Sequence, residues 1–180
     1  MAVHDLLEYK KVDYLEKLFA RVKREKLFAK VSKFIVDTFE ADVGYVGLHR
    51  LDFWRFKEYG RWAKEGVDLQ VKEEEAHLPA WALIIVRYAF ERKKSIYSDC
   101  PQWDNRISPG GAFDLAATGF FEAMASPIIV HGKSEGVVYA QYQKRQDYSI
   151  DKNDRLDFLD TMAKALGNIL SDERGTCSRQ

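Results

Sequence analysis

The segment ASPIIVHGKSEGVVYAQYQ, residues Ala125–Gln143, carries the strongest fold signal in this chain. Two apolar runs, Ser126–Val130 and Gly136–Tyr142, flank the short polar link His131–Glu135. Runs rich in β-branched residues on either side of a glycine-containing link predict a β-hairpin. Their near-continuous apolar character indicates central strands covered on at least one face. Because proline cannot donate a hydrogen bond to a neighbouring strand, we expect Pro127 near the start of its strand.

The chain on either side of the hairpin shows helical and strand patterns. Residues 3–40 have the apolar spacing of a helix, with a step at the basic segment Arg21–Lys26 that indicates a bend or an exposed turn. Residues Asp99–Gly119 are the least regular part of the chain, and loops of this length are usually functional or mobile. The other predicted elements are strands at Asp42–Asp52, Phe53–Lys64 and Ser95–Ser98, and helices at Ala80–Arg92 and Asp151–Leu170.

This order of elements predicts an α+β domain built around a central antiparallel sheet. The helices at 3–40 and 152–170 carry matching apolar stripes, so we expect them to pack on one face of the sheet, with the loops and the shorter helix on the other. Gly60 and Gly66 indicate bends or strand ends. Residues 171–180 have the composition of a polar tail.

The composition excludes several classes of protein. The 28 basic and 28 acidic residues give a formal net charge of zero, so no global attraction to nucleic acid or to an anionic membrane is expected. The two cysteines, Cys100 and Cys177, form neither a disulfide framework nor a metal-ligand spacing, which fits a reducing compartment. The sequence shows no signal peptide, and its apolar runs are too short for a membrane span. We therefore expect a cytoplasmic protein.

Four short segments carry a family resemblance through their order and spacing. They are Ala41–Val46 as a first strand, Lys94–Asp99 as a short strand with a closing aspartate, Ser126–Val130 with Gly132 and Gly136–Val138 as paired strands, and Tyr148–Asp154 as a helix entry. Together they resemble the GAF domain, the sensor module of bacterial regulators, phosphodiesterases and phytochromes; PAS domains share a similar architecture. The resemblance covers roughly residues 25–170, and it implies a signalling or dimerisation helix at 1–24 and a tail at 171–180.

The resemblance also implies where a ligand would bind, because family ligands lie between the sheet and the irregular segments over its open face. In this chain those segments fall within residues 99–121. Flat apolar walls and a cation there would suit a small, partly anionic or aromatic ligand. The alternative is that the aromatic residues fill the space themselves and Arg106 pairs with Asp99 or Asp104. The expected site residues are Trp103, Phe113, Phe120 and Phe121 as walls, Arg106 as polar anchor, and Tyr45 and Tyr139 as floor.

No catalytic or cofactor motif of the sequence is complete. The four histidines occur singly, without a neighbouring nucleophile motif, and Gly110-Gly111 lacks the Lys-Ser/Thr of a phosphate loop. The asparagine and acidic pair of cyclic-nucleotide-binding GAF domains are missing around Lys144, and Cys100 lacks the histidine that commonly follows a bilin-attachment cysteine. Two cysteines cannot supply the three-cysteine set of the GAF-like free methionine sulfoxide reductases. We expect no catalysis, and the sequence names no cofactor.

Both terminal helices carry more apolar surface than one sheet face needs, which predicts a homodimer. The expected interface residues are Leu15, Leu18, Val22, Leu159 and Leu166. Three hypotheses remain open at this point. The chain is a sensor module that binds a small molecule and regulates an attached kinase, cyclase or transcription activator; or it is a purely structural dimerisation module; or it is a redox enzyme of the reductase type.

Overall fold

The computed structural model describes residues 11–49, 56–67, 80–99, 104, 106, 122–143 and 150–177. The described elements are α1 (Val12–Phe19), α2 (Arg24–Phe39), β1 (Val43–His49), β2 (Phe56–Ala63), α3 (Ala80–Arg92), β3 (Ile96–Ser98), β4 (Glu122–Val130), β5 (Lys133–Tyr142) and α4 (Lys152–Cys177). The helix predicted at 3–40 is two helices, α1 and α2, separated at residues 20–23. Its first part, residues 3–10, lies outside the described residues.

The five described strands form one antiparallel sheet in the order β2-β1-β5-β4-β3. The predicted hairpin is β4 and β5, and β5 is the central strand of the sheet. Its turn contains only His131 and Gly132, both in the left-handed region with φ of 48° and 75°. Consecutive left-handed residues suit a two-residue hairpin turn because they match the twist of the flanking strands. The α+β antiparallel fold predicted from the sequence is confirmed.

The expected position of Pro127 is wrong, because this residue lies in the middle of β4. It is tolerated there for a geometric reason. The short strand β3 pairs only with Ala123–Ala125, so among the described residues Pro127 has a strand neighbour only on the β5 side. Proline is accepted where its missing N–H faces no partner strand.

The two faces of the sheet are covered differently. Helix α2 packs on β1 and β2, α4 packs on β4 and β5, and α1 packs on α4, all in one core. Helix α3 covers the other face, where Ile85, Val86 and Ala89 contact a second cluster of strand side chains. The expectation that the terminal helices share one face is therefore confirmed for the described residues. Among those residues, no helix is long and apolar enough to cross a membrane.

Gly60 lies inside β2 and does not mark a strand end. A Cβ atom at this position would be 2.1 Å from backbone atoms of both Phe28 and Ala29. The Ser32 hydroxyl, one turn further along α2, donates to the Gly60 carbonyl at 2.7 Å. The glycine therefore allows α2 to contact the strand at backbone distance.

Three of the five expected interface residues are core residues of a single chain. Leu15, Leu159 and Leu166 are fully buried in the core that α1 and α4 share, so they offer no surface to a second copy. This corrects the expectation for those three positions. Leu18 and Val22 are only partly buried, and their place at an interface stays a prediction.

Helix α1 packs in the same core as the sheet, and helix α4 continues past residue 170 to Cys177. The division into a signalling or dimerisation helix at 1–24, a domain at 25–170 and a tail at 171–180 stays a prediction.

Candidate functional site

The sheet face under α3 carries two tyrosines side by side. Tyr45 on β1 and Tyr139 on β5 are opposite each other in the strand register, and both are buried. Each side chain packs in the cluster that includes Ile85 and Val86 of α3. The structure thus brings the two predicted floor residues together, on the face away from the terminal helices.

Both phenols are neutral hydrogen-bonding groups at physiological pH. Burial raises the pKa of Tyr45 far above its ordinary value, and the neighbouring Tyr59 raises it further. Burial alone raises the pKa of Tyr139 well above its ordinary value. The Tyr45 ring stacks on Tyr59 with 6.1 Å between centroids, and the Tyr139 hydroxyl donates to Gln141 Oε1 at 3.1 Å. The floor therefore offers hydroxyl and amide groups but no formal charge.

Arg106 forms an ion pair with Asp104 beside β3. Its Nε donates to Asp104 Oδ1 at 2.8 Å, its backbone N–H donates to the same oxygen at 3.0 Å, and its Nη2 donates to the Tyr97 carbonyl at 2.9 Å. The side-chain hydrogen bond from Arg106 is the main reason that the pKa of Asp104 is lowered, with a smaller contribution from the Ser98 hydroxyl. Of the alternatives left open by the sequence, Arg106 takes the pairing with Asp104, so the expected cation is half of a neutral pair.

The remaining predicted site residues cannot be placed. The predicted walls, Trp103, Phe113, Phe120 and Phe121, lie outside the described residues, as does Cys100. Arg106, Tyr45 and Tyr139 are the three predicted residues that the structure positions.

Gln141 is a residue of this face that the sequence reading missed. It lies on β5 two residues after Tyr139, so its side chain is on the same face of the sheet, and only 3 % of its surface is exposed. The run Gly136–Tyr142 has the pattern of an apolar strand, and Gln141 is the single amide within it. This amide is the sequence feature that could have identified Gln141, because a polar side chain in a buried strand requires a hydrogen-bond partner.

A cavity of about 410 Å³ lies beside the hairpin turn. The hairpin is tied to the end of α3 there, because Ser134 Oγ donates to the Phe90 carbonyl at 2.7 Å and Lys93 Nζ donates to the Gly132 carbonyl at 2.8 Å. The centres of the His49 and Phe90 rings are 4.7 Å apart. Burial lowers the pKa of His49 to about 4. Its imidazole is therefore neutral at physiological pH. The lining residues are His49, Phe90, Glu91, Lys93, Lys133, Ser134 and Glu135.

The described side chains form no metal centre. Among the residues that the structure describes, no group of three or more His, Cys, Asp or Glu side chains could hold a metal ion.

An antiparallel sheet with the terminal helices on one face and a shorter helix on the other is the α+β arrangement that the resemblance to GAF domains implies. Solved structures confirm this fold. The chain is similar to the GAF domain of an Acinetobacter phosphoenolpyruvate-protein phosphotransferase, with 14 % identity, 97 % of each chain covered and a TM-score of 0.66. It is also similar to the GAF domain of A. aeolicus nlh2 in an inactive state, with 13 % identity, 94 % of this chain and 98 % of that one covered, and a TM-score of 0.59.

One similar structure is an enzyme. The free methionine-R-sulfoxide reductase of Neisseria meningitidis, solved with its substrate, is 12 % identical, with 98 % of this chain and 96 % of that one covered and a TM-score of 0.69. No family model matches the sequence, and no curated protein matches it. At these identities the comparisons establish the GAF fold and leave the function to be argued from the site.

Proposed function

We propose that this chain is a non-catalytic, cytoplasmic GAF-type sensory module. It binds a small molecule on the sheet face under α3 and transmits binding through its terminal helices to an attached kinase, cyclase or transcription activator. The observation that carries the proposal is the pair of buried tyrosines, Tyr45 and Tyr139, on the face opposite those helices. A face that served only as core would be expected to hold apolar side chains, because buried polar groups need partners.

Contacts between the site and α4 support transmission to that helix. The Ser95 hydroxyl, just before β3, donates to Asp160 Oδ1 at 2.7 Å. Glu122, the first residue of β4, accepts a hydrogen bond from Arg155 Nη2 at 3.1 Å. Both strands border the proposed site, and both contacts end on α4, so a displacement of either strand would act on the helix directly.

The names of other similar structures support the same reading. One is a domain of a putative two-component sensor histidine kinase from Sinorhizobium meliloti, at 15 % identity and a TM-score of 0.57. We infer the absence of catalysis from the incomplete motifs of the sequence and from its two cysteines. The reductase-like alternative rests on the similarity to the Neisseria enzyme. Reduction of free methionine sulfoxide by the purified chain, abolished in Cys100→Ser, would establish that alternative.

A thermal-shift screen with a metabolite library tests the ligand site. A compound at about 100 times its Kd, bound only to the folded chain, stabilises it by about 2.7 kcal/mol, or roughly 5–10 °C in melting temperature. For an anionic ligand we expect Arg106→Ala to lose most of this shift, because Arg106 is fixed at the border of the site. Trp103→Ala should lose it for any ligand of the site, because it removes a predicted wall.

The matched control is Arg87→Ala, since Arg87 is an exposed residue of α3 that pairs with Glu91 and lies outside the site. That variant should keep the full shift. A binder whose shift survives both site variants places the ligand elsewhere. A library without any binder favours the purely structural dimerisation module.

Dimerisation is tested by introducing charge at two partly buried positions, Leu18 in α1 and Val22 between α1 and α2. Leu18→Glu and Val22→Glu should convert a dimer to a monomer in sedimentation velocity at about 50 μM, because a desolvated carboxylate at a contact is costly. Lys30→Glu, at an exposed position of α2, is the control and should sediment as the parent. A parent chain that is already monomeric would contradict the dimer.

A further inference from the structure

The side chain of Gln141 has an unsatisfied buried amide. Oε1 accepts the hydrogen bond from the Tyr139 hydroxyl, but Nε2 is buried and has no hydrogen-bond partner in the described part of the chain. Exchanging the oxygen and nitrogen positions does not remove the defect. Nε2 would then donate to the Tyr139 oxygen, and the amide oxygen would be the atom without a partner. Either orientation leaves a buried polar atom that lowers the stability of the empty chain.

The neighbours of Gln141 leave one side of the amide next to a small residue. In the strand register it lies between Val43 on β1 and Ala123 on β4, and Ala123 is in turn opposite Ser98 on β3. Strands are about 4.8 Å apart, so the Cα atoms of Gln141 and Ser98 are about 10 Å from each other. Arg106 Nη2 donates to the carbonyl of Tyr97, the residue before Ser98, at 2.9 Å, which places the Asp104–Arg106 pair at that border. Hydrogen-bonding groups thus stand on both sides of the Ala123 methyl group.

The electrostatics between Gln141 and the Asp104–Arg106 pair favour an uncharged ligand. The Tyr139 phenol is neutral, and the charges of Asp104 and Arg106 compensate each other at a salt bridge. A bare anion beside the amide would lose its hydration without gaining a free cation. A carbonyl oxygen, in contrast, needs only the N–H donor that Nε2 supplies.

We propose that Gln141 is the specificity-determining residue of the ligand site. Its Nε2 donates to the carbonyl oxygen of an uncharged cyclic amide or similar ring, which lies over Ala123 beside the Asp104–Arg106 pair. The ligand then supplies the hydrogen-bond partner that the amide lacks in the empty chain. Binding sites commonly keep such residues although they lower the stability of the unbound protein. This inference rests on the proposed sensory function.

The stability of the empty chain gives the first test. Gln141→Leu alone would leave the Tyr139 hydroxyl without its acceptor, so the informative variant is Tyr139→Phe/Gln141→Leu, which removes both polar groups. We expect its melting temperature to rise by about 2–4 °C. The control is Ser126→Ala, which removes a buried hydroxyl that also has no hydrogen-bond partner among the described residues but lies on the opposite face of the sheet. A lower melting temperature for the double variant would show that the Tyr139–Gln141 pair is a structural contact and would overturn the inference.

Binding of a simple probe gives the second test. N-methyl-2-pyridone carries the carbonyl and no donor, and toluene is a ring of similar size without the carbonyl; both are followed by ligand-observed NMR. We expect the parent and Ser126→Ala to bind the pyridone about ten times more tightly than the double variant does, and toluene to bind all three equally. Equal pyridone binding by the double variant would overturn the role of Gln141 alone. A parent that binds neither the pyridone nor any metabolite would overturn the proposed function with it.

Discussion

Replacing Arg155 with methionine is expected to lower the free energy of unfolding by about 3–5 kcal/mol. Arg155 is 4 % exposed, and its Nη2 is 3.1 Å from Oε2 of Glu122, which is itself mostly buried. The guanidinium also lies 4.4 Å from the centre of the Tyr142 ring. Burial raises the pKa of Tyr142 to about 12, so this phenol is neutral and cannot replace the lost positive charge. In the variant, Glu122 therefore carries an uncompensated buried charge. Urea unfolding followed by tryptophan fluorescence measures the loss.

The double variant Glu122→Leu/Arg155→Met should recover most of that loss, because it leaves no isolated charge in the interior. The control is Glu91→Ala, which removes half of an exposed pair within α3 and should cost less than 1 kcal/mol. A double variant as unstable as Arg155→Met would show that packing of the arginine, and not its charge pairing, holds α4 on β4.

Lowering the pH is expected to destabilise the folded chain through His49. Burial lowers the pKa of His49 in the folded chain to about 4, whereas the ordinary value of 6.5 applies to the unfolded chain. Between these values the unfolded chain binds a proton that the folded chain does not, so the stability present above pH 6.5 is lost as the pH falls toward 4. The gap corresponds to about 3 kcal/mol.

Unfolding titrations at pH 7 and pH 4.5 measure this loss in the parent and in His49→Phe, which keeps a ring against Phe90. We expect the variant to lose most of the difference between the two pH values. The control is His131→Asn, because His131 is exposed in the hairpin turn and asparagine tolerates its left-handed backbone. A pH dependence that persists in His49→Phe and vanishes in His131→Asn would contradict the assignment.

Local sequence pattern predicted the elements well and their partners less well. The apolar runs around His131–Gly132 predicted adjacent strands because alternation and β-branching depend only on neighbours in the chain. Gly60 was predicted as a bend or a strand end, since sequence does not show that a helix backbone lies 2.1 Å from its missing Cβ. Leu15 and Leu166 were placed at a dimer interface because an apolar stripe looks the same whether it packs within its own chain or against a second one.

Buried polar residues were the least predictable part of the candidate site. Tyr45 and Tyr139 were predicted as its floor, and the strand register confirms that they share a face. The burial of Arg155 depends on Glu122, 33 residues earlier in the chain, a pairing that no helical periodicity reveals. The unsatisfied amide of Gln141 likewise appears only when all partners around it are known.

Binding of a small molecule on the sheet face under α3 can be mapped by NMR, with a binder from the metabolite screen and the backbone amides as reporters. We expect the largest chemical-shift changes at Tyr45, at Tyr139–Gln141 and along β3, with α2 unchanged. Largest changes in α1 and α2, or at the cavity beside His49, with β3 and Tyr139–Gln141 unaffected, would contradict binding at this face.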